Sequence, residues 1–194
     1  MKKIILIGAG GHSRSCIDVI KSQKKYKVSF LVDKTSVDNQ TIKTILESNF
    51  LTGYKLNKKD LLISVGQLNN GKLRKKIFEF YKNKGCNFPV IKSKSSYISS
   101  NSLIDEGTII MHKVFINSNV LIGKNCIINT GTIIEHDVVI GNNVHIAPGA
   151  IILGGCTIKD NTFIGSGTIV KQNTSIGKNF ILPSGAYFKK WKKF

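Results

Sequence analysis

From Ile98 to Leu182 every sixth residue is isoleucine, valine or leucine, fifteen positions without an interruption. Neither a 3.6-residue helix nor a two-residue strand alternation produces a strict period of six, so the pattern marks a repeat architecture. Four residues after each aliphatic stands a mostly small residue, as at Ser102, Cys126, Ala150, Thr168 and Ala186. Glycine and asparagine punctuate the remainder, as in Ile122-Gly123-Lys124-Asn125 and Ile140-Gly141-Asn142-Asn143. The spacing predicts a parallel β-helix. The aliphatics fill the interior, the small residues fit the narrow corners, and Gly and Asn accept left-handed turn conformations. Three hexads make one triangular coil, so fifteen predict about five coils.

The first part of the chain follows another pattern. Lys2–Ile7 reads as a buried-type strand, followed by Gly8-Ala9-Gly10-Gly11-His12 and a helical pattern from Ser13 to about Lys24. Val28–Val32 reads as a second strand ending at Asp33, and Leu61–Val65 as another ending at Gly66. Leu73 to about Lys84 is a basic amphipathic helix stopped by Gly85. Strands alternating with helices predict a small Rossmann-like α/β domain with a parallel sheet over residues 1–95, ahead of a β-helix domain over 96–194. Residues 34–60 carry no readable pattern, and the polar stretch Lys92–Ser96 reads as a link into the first coil.

Charge divides along the same line. Of the net +18, residues 1–97 carry +14, residues 98–188 are neutral, and the last six residues add four lysines. Such a distribution suits polyanionic small molecules such as nucleotide diphosphates and coenzyme A. It does not suit nucleic acid: only Arg14 and Arg74 are arginines, and aromatics do not interleave with a basic stripe. No run approaches the roughly 18 apolar residues of a membrane span. The apolar start Ile4–Ile7 is too short for a secretory core, so a soluble cytoplasmic protein without membrane insertion is expected. Cys16, Cys86, Cys126 and Cys156 lack paired spacing and read as buried free thiols.

Two segments carry chemistry. Gly8–His12 joins a strand to a helix, where backbone N–H groups can approach phosphate. Asp33, at the end of the second strand, stands where a dinucleotide-binding acid would hold a ribose hydroxyl, although Ser13 replaces the third glycine of that fingerprint. In the repeat, Asn129-Thr130-Gly131-Thr132-Ile133-Ile134-Glu135-His136-Asp137 departs from the bland hexads. His136 falls at a turn position and should face outward at a prism edge, where a histidine beside a carboxylate is a candidate general base. His145 lies nine residues on, half a coil away, so the two histidines should not stack within one chain. Across a subunit interface they could converge. His112 has no acidic neighbour in its hexad and reads as a surface residue. The histidine spacing does not make a zinc site, so no metal is expected.

These features together resemble the bacterial sugar O-/N-acetyltransferase family of hexapeptide-repeat, left-handed β-helix acyltransferases. That family includes UDP-4-amino-sugar N-acetyltransferases of the bacillosamine pathway and sialic-acid O-acetyltransferases. The resemblance implies a homotrimer with active sites between neighbouring β-helices. It implies acetyl transfer from acetyl-CoA to the amino group of a nucleotide-linked amino-deoxy sugar, with a UDP-4-amino-4,6-dideoxy sugar first in line. Its rivals are sialic-acid-type O-acetylation and a non-catalytic nucleotide-sugar-binding trimer. Gly10, Gly11 and His12 match the turn holding the nucleotide sugar, Asp33 the acid near the base, Gly66 a strand-ending glycine and Asn129 a substrate contact. His136 matches the catalytic base and Asp137 the acid that orients it, with Glu135 left as a possible partner. His145 and Gly154 match contacts to acetyl-CoA. The chain departs from the family at its end, Ala186–Phe194, where Trp191 is expected either to stack on the coenzyme's adenine or to belong to a cap on the solenoid.

Overall fold

The computed structural model describes residues 1–35, 42–68 and 71–189. A four-stranded parallel sheet comes first, built from β1 (Lys2–Ile7), β2 (Tyr26–Asp33), β3 (Thr44–Leu46) and β4 (Leu61–Ile63) in the order β3-β2-β1-β4. Ile4, Ile5, Leu6 and Ile7 are all buried, as a central parallel strand covered on both faces requires. Helix α1 (Gly11–Gln23) buries Ser13, Cys16, Val19 and Ile20 on one stripe and ends at Lys24 in the left-handed region. Helix α3 (Lys72–Asn83) buries Arg74, Phe78 and Tyr81, spaced four and three residues apart. Between β2 and β4 lie two elements the sequence left unread, β3 and α2 (Glu47–Gly53). Three residues of strand and seven of helix, with Phe50 the one buried residue of that helix, are too short to print a periodicity. No helix among the described residues is long and apolar enough to cross a membrane.

The rest of the described chain is the left-handed β-helix. Seventeen two-residue strands, β5 (Ile91–Lys92) to β21 (Tyr187–Phe188), form three parallel sheets of six, six and five strands. Face one runs from Ile91–Lys92 through Ile127–Ile128 and His145–Ile146 to Ile181–Leu182. Face two runs from Tyr97–Ile98 to Tyr187–Phe188, and face three from Leu103–Ile104 to Ser175–Ile176. Every sheet partner is 18 residues away, as Ile127↔His145 and Ile133↔Ile151, so each coil is three hexads. The hexad aliphatics from Ile110 to Leu182 point inward and are buried, and Val114, Cys126, Ala150, Cys156 and Thr168 fill the corners. In the last coil the corner holds Phe180, which is 38 % exposed and leans on Phe188.

The first rung comes one hexad earlier than the aliphatic pattern begins. Ile91–Lys92 pairs with Ile109–Ile110, so part of the segment read as a link is solenoid. Its inward slot is filled by Lys92, which is exposed because no coil lies beneath it. The turns explain the punctuation. Every sixth residue from Gly107 to Gly185 has a positive φ, and six of these fourteen are Gly, six Asn, with Lys113 and Asp137 completing the series. Gly and Asn take this conformation at the least steric cost.

Face one is where the two parts of the chain join. Ile91, Ile109 and Ile127 on its outer side are fully buried, and they belong to one apolar cluster with Ile4, Leu6, Ile20 and Leu62. At one margin of this seam the Asp18 carboxylate of α1 lies 2.8 Å from Nε2 of His112, whose Nδ1 is 2.6 Å from the Ser93 hydroxyl. His112 is therefore an interdomain tie rather than a bare surface residue. Its acid comes from 94 residues away, beyond the reach of a hexad reading.

Candidate active site

The strand-to-helix turn brings its predicted residues together. Gly8, at φ +111, comes so close to the Val65 backbone and side chain that a Cβ would lie 2.7 Å from Val65 Cγ2. Gly10 and Gly11 are exposed at the start of α1, and no atom stands within 4 Å of the Cβ that Gly10 lacks. Asp33 closes the turn from β2: its Oδ2 accepts the Ala9 N–H at 2.7 Å and its Oδ1 the Lys34 N–H at 2.7 Å. His12 sits in the first turn of α1 with Gly66 beside it, 3.5 Å separating His12 Cβ from the Cβ position of Gly66. Burial, then Arg74, then His145 push its imidazole down to about 3, so it is neutral at physiological pH. Among the described residues, its buried Nε2 has no hydrogen-bond partner.

Arg74 and Gln67, two residues the sequence reading did not assign, bind this region to face one. Arg74 is 1 % exposed. It donates to the Ile63 and Val65 carbonyls at 2.5 and 2.9 Å and to the Asn125 carbonyl at 3.3 Å. Gln67 Nε2 donates to the Asn143 carbonyl at 3.1 Å. The Gln67 carbonyl is met by His145 Nδ1 at 2.6 Å, and His145 Nε2 lies 3.1 Å from Asn129 Nδ2. Asn129 and His145 thus stand with the α/β domain, although one comes from the turn after face one and the other from face one itself. Arginine and glutamine in a basic helix and its leading loop look like solvated surface in a sequence, so only the tertiary structure could reveal them.

His136 occupies a different edge, between faces two and three. Its side chain is 61 % exposed. Nδ1 lies 2.8 Å from Asp137 Oδ2, and because a carboxylate only accepts, the proton of the neutral ring sits on Nδ1 and the lone pair on Nε2. The hydrogen bond from His136, and then that from Asn119, hold the Asp137 carboxyl below the usual carboxylate range. Asp137 also has φ +59, the slot that Asn or Gly fills everywhere else in the series but at Lys113, so a short polar side chain suits the turn there. Glu135 does not join the pair: its Oε2 accepts from Asn117 Nδ2 at 2.7 Å. One coil on, Gly154 lies against the ring, and a Cβ there would be 2.7 Å from both Cε1 and Nε2 of His136. Trp191 lies outside the described residues.

The outer side of face two adds a further feature. Its outward residues are Tyr97, Phe115, Ile133, Ile151, Ile169 and Tyr187, apolar from end to end. Tyr97 and Tyr187 are each 58 % exposed, and Tyr97 stacks on Phe115 at 5.0 Å. The four cysteines are all buried and unpaired, and burial pushes the Cys16 and Cys126 thiols up to about 12.

A small parallel α/β unit joined to a hexad solenoid is the architecture of hexapeptide-repeat acyltransferases, and the chain is similar to acetyl-CoA-dependent acetyltransferases. Residues 3–81 match the PglD N-terminal domain family, and residues 119–154 and 137–172 match the bacterial transferase hexapeptide (six repeats) family. Together with the structural likenesses, these matches support a sugar acetyltransferase of the hexapeptide-repeat family. Among solved structures it is similar to the acetyltransferase domain of PglB from Neisseria gonorrhoeae FA1090, determined in complex with acetyl coenzyme A. The identity is 25 %, over 97 % of this chain and 91 % of that one, with a TM-score of 0.89. It is similar to WeeI from Acinetobacter baumannii AYE at 25 % identity over 98 % and 92 %, TM-score 0.85. PerB from Caulobacter crescentus, solved with CoA and GDP-perosamine, shares the fold at 23 % identity over 95 % and 92 %, TM-score 0.62.

Proposed function

We propose that this protein transfers the acetyl group of acetyl-CoA to the amino group of a nucleotide-linked amino-deoxy sugar, a UDP-4-amino-4,6-dideoxy sugar foremost, in the cytoplasm, for bacterial surface glycan or glycoprotein biosynthesis. The observation that carries this reading is His136, with Nδ1 tied to Asp137 and Nε2 open on the bare backbone of Gly154. In this reading Nε2 takes a proton from the attacking amine as its nitrogen bonds to the thioester carbonyl carbon. The tetrahedral intermediate collapses, the C–S bond breaks, and the imidazolium returns the proton to the departing thiolate. Asp137 holds the tautomer and stabilises the imidazolium. No acyl-enzyme is required, since the cysteines are buried.

The Gly10–His12 turn, Asp33 and Gly66 hold the nucleotide sugar, and the sugar extends past Asn129. Because Asn129 and His136 stand on different edges of one prism, the site is completed by a second copy. The apolar ladder on face two supports a homotrimer in which that face is covered. PglB's complex with acetyl coenzyme A supports the donor.

A thiol-release assay with acetyl-CoA against UDP-, GDP- and dTDP-linked amino and hydroxy sugars tests the reading. Release with one amino sugar is expected. Release with hydroxy sugars or sialic acids instead would convert the reading to O-acetylation, and none with any acceptor would overturn it.

A further inference from the structure

His145 hydrogen-bonds both to Gln67 of the α/β domain and to Asn129, and its hydrogen bonds have a definite polarity. A carbonyl oxygen only accepts, so the 2.6 Å contact with Gln67 places the proton on Nδ1. Burial pushes the imidazole down to about 4, which leaves Nε2 unprotonated at neutral pH. Nε2 therefore accepts, and Asn129 Nδ2 donates to it at 3.1 Å. At the other end of that amide, Oδ1 accepts the Thr130 N–H at 2.8 Å. Asn129 is thus held at both ends in one orientation, with one Nδ2 hydrogen to spare among the described residues. The residue is half-buried, beside Gly131, whose missing Cβ has nothing within 4 Å. Gln67 itself is anchored through Asn143, and its loop through Arg74, so the relay starts from a fixed point.

We propose that His145 is a positioning residue, locked as its Nδ1–H tautomer by the Gln67 carbonyl, whose Nε2 turns the Asn129 amide so that its spare N–H faces the acceptor sugar and binds a hydroxyl oxygen. The inference rests on the nucleotide-sugar reading, since the turn assigned to that ligand lies on the same side of the prism as Asn129. An N–H donor repels an ammonium, so the reacting amine is left to His136 while a neighbouring sugar oxygen fixes the ring. His145 then needs no contact with the coenzyme, contrary to what the family resemblance implies, because both its nitrogens are engaged within the chain.

The test has two arms. In ¹⁵N-histidine spectra of the wild-type protein at pH 6 to 8, His145 is expected to show a protonated Nδ1 and an unprotonated Nε2. An Nε2–H tautomer or an imidazolium would overturn the relay. Kinetically, His145→Phe should lower kcat with the preferred acceptor by about 10- to 100-fold. Acetyl-CoA KM should stay within about twofold, and on an Asn129→Ala background the further loss should be under about threefold. His145→Gln, which offers both an N–H and a carbonyl oxygen, should recover most of the rate and serves if the Phe variant does not fold. A raised acetyl-CoA KM with unchanged kcat, or losses that multiply with Asn129→Ala, would sink the proposal. If no acceptor is turned over, the functional reading fails, and the spectra still decide the His145–Asn129 link by themselves.

Discussion

Gly154→Ala separates the site from the fold. The added Cβ would lie 2.7 Å from Cε1 and Nε2 of His136 and 3.3 Å from Cδ2. Carbon atoms rest at about 3.5 Å or more, so the ring must retreat by about 0.8 Å. The fold does not resist: Gly154 is outside the left-handed region, and His136 is 61 % exposed, with room to swing outward. A backbone-compatible Gly→Ala change is worth about 0.4–1 kcal/mol of added stability through the unfolded chain, so the melting temperature should hold or rise slightly. Catalysis has no such tolerance. A retreat of that size draws Nδ1 away from Asp137, now 2.8 Å off, and carries Nε2 out of line with an attacking amine. About 100-fold should be lost from kcat. Thiol release and thermal melting on the same preparation measure both quantities. Gly177→Ala is the matched control, with nothing within 4 Å of its Cβ position, and should leave kcat unchanged while its melting temperature likewise holds or rises slightly. A Gly154→Ala enzyme within about twofold of wild type in kcat would refute the claim that the ring's position against this glycine matters.

Three further outcomes are expected. Asp137→Asn should fold as well as the wild type, since Asn already fills six of the fourteen left-handed turn slots, yet lose about tenfold or more in kcat because an amide cannot stabilise the imidazolium. Stability should fall on acidification: His12 and His145, lowered to about 3 and 4, must be deprotonated in the native state, so the unfolded chain, with its ordinary histidines, binds the extra protons. Their contribution is complete above about pH 6.5 and is lost progressively below it, about 4 kcal/mol between pH 7 and pH 5, which urea melts at the two pH values would register as a lower midpoint. Mixing unfolded His136→Ala and Asn129→Ala chains and refolding them together should restore about a quarter of wild-type activity if each site takes these residues from different copies, and none if both come from one.

The sequence carried some levels of this molecule and not others. A period of six over fifteen hexads demands a three-sided solenoid, and every inward aliphatic from Ile110 onward confirms it. The N-terminal strands and helices were legible because β1, β2, α1 and α3 are long enough to show burial patterns. β4, three residues long, was legible from its run of buried aliphatics, whereas β3, equally short with no buried residue, and α2, with Phe50 its one buried residue, were not. His136 stood out because a β-helix wall has no use for a histidine between two acids, but adjacency could not tell which acid serves it. The structure separates them: Asp137 faces the ring, while Glu135 turns to Asn117 in the coil below. Residues that work between domains left no local signal. Arg74 and Gln67 were assigned no role, and Asp18 and His112 are 94 residues apart. His145 was noticed as a histidine, but its partners on either side, Gln67 and Asn129, are set by the docking of one domain on the other.

The central claim is that Nε2 of His136 takes the proton from the attacking amine. Its most direct test is the kcat of His136→Ala for thiol release with saturating acetyl-CoA and the preferred amino sugar, on protein shown by its melting curve and assembly state to be folded. A loss of about 10²- to 10⁴-fold is expected. A loss under about fivefold would contradict it and remove His136 from the chemistry.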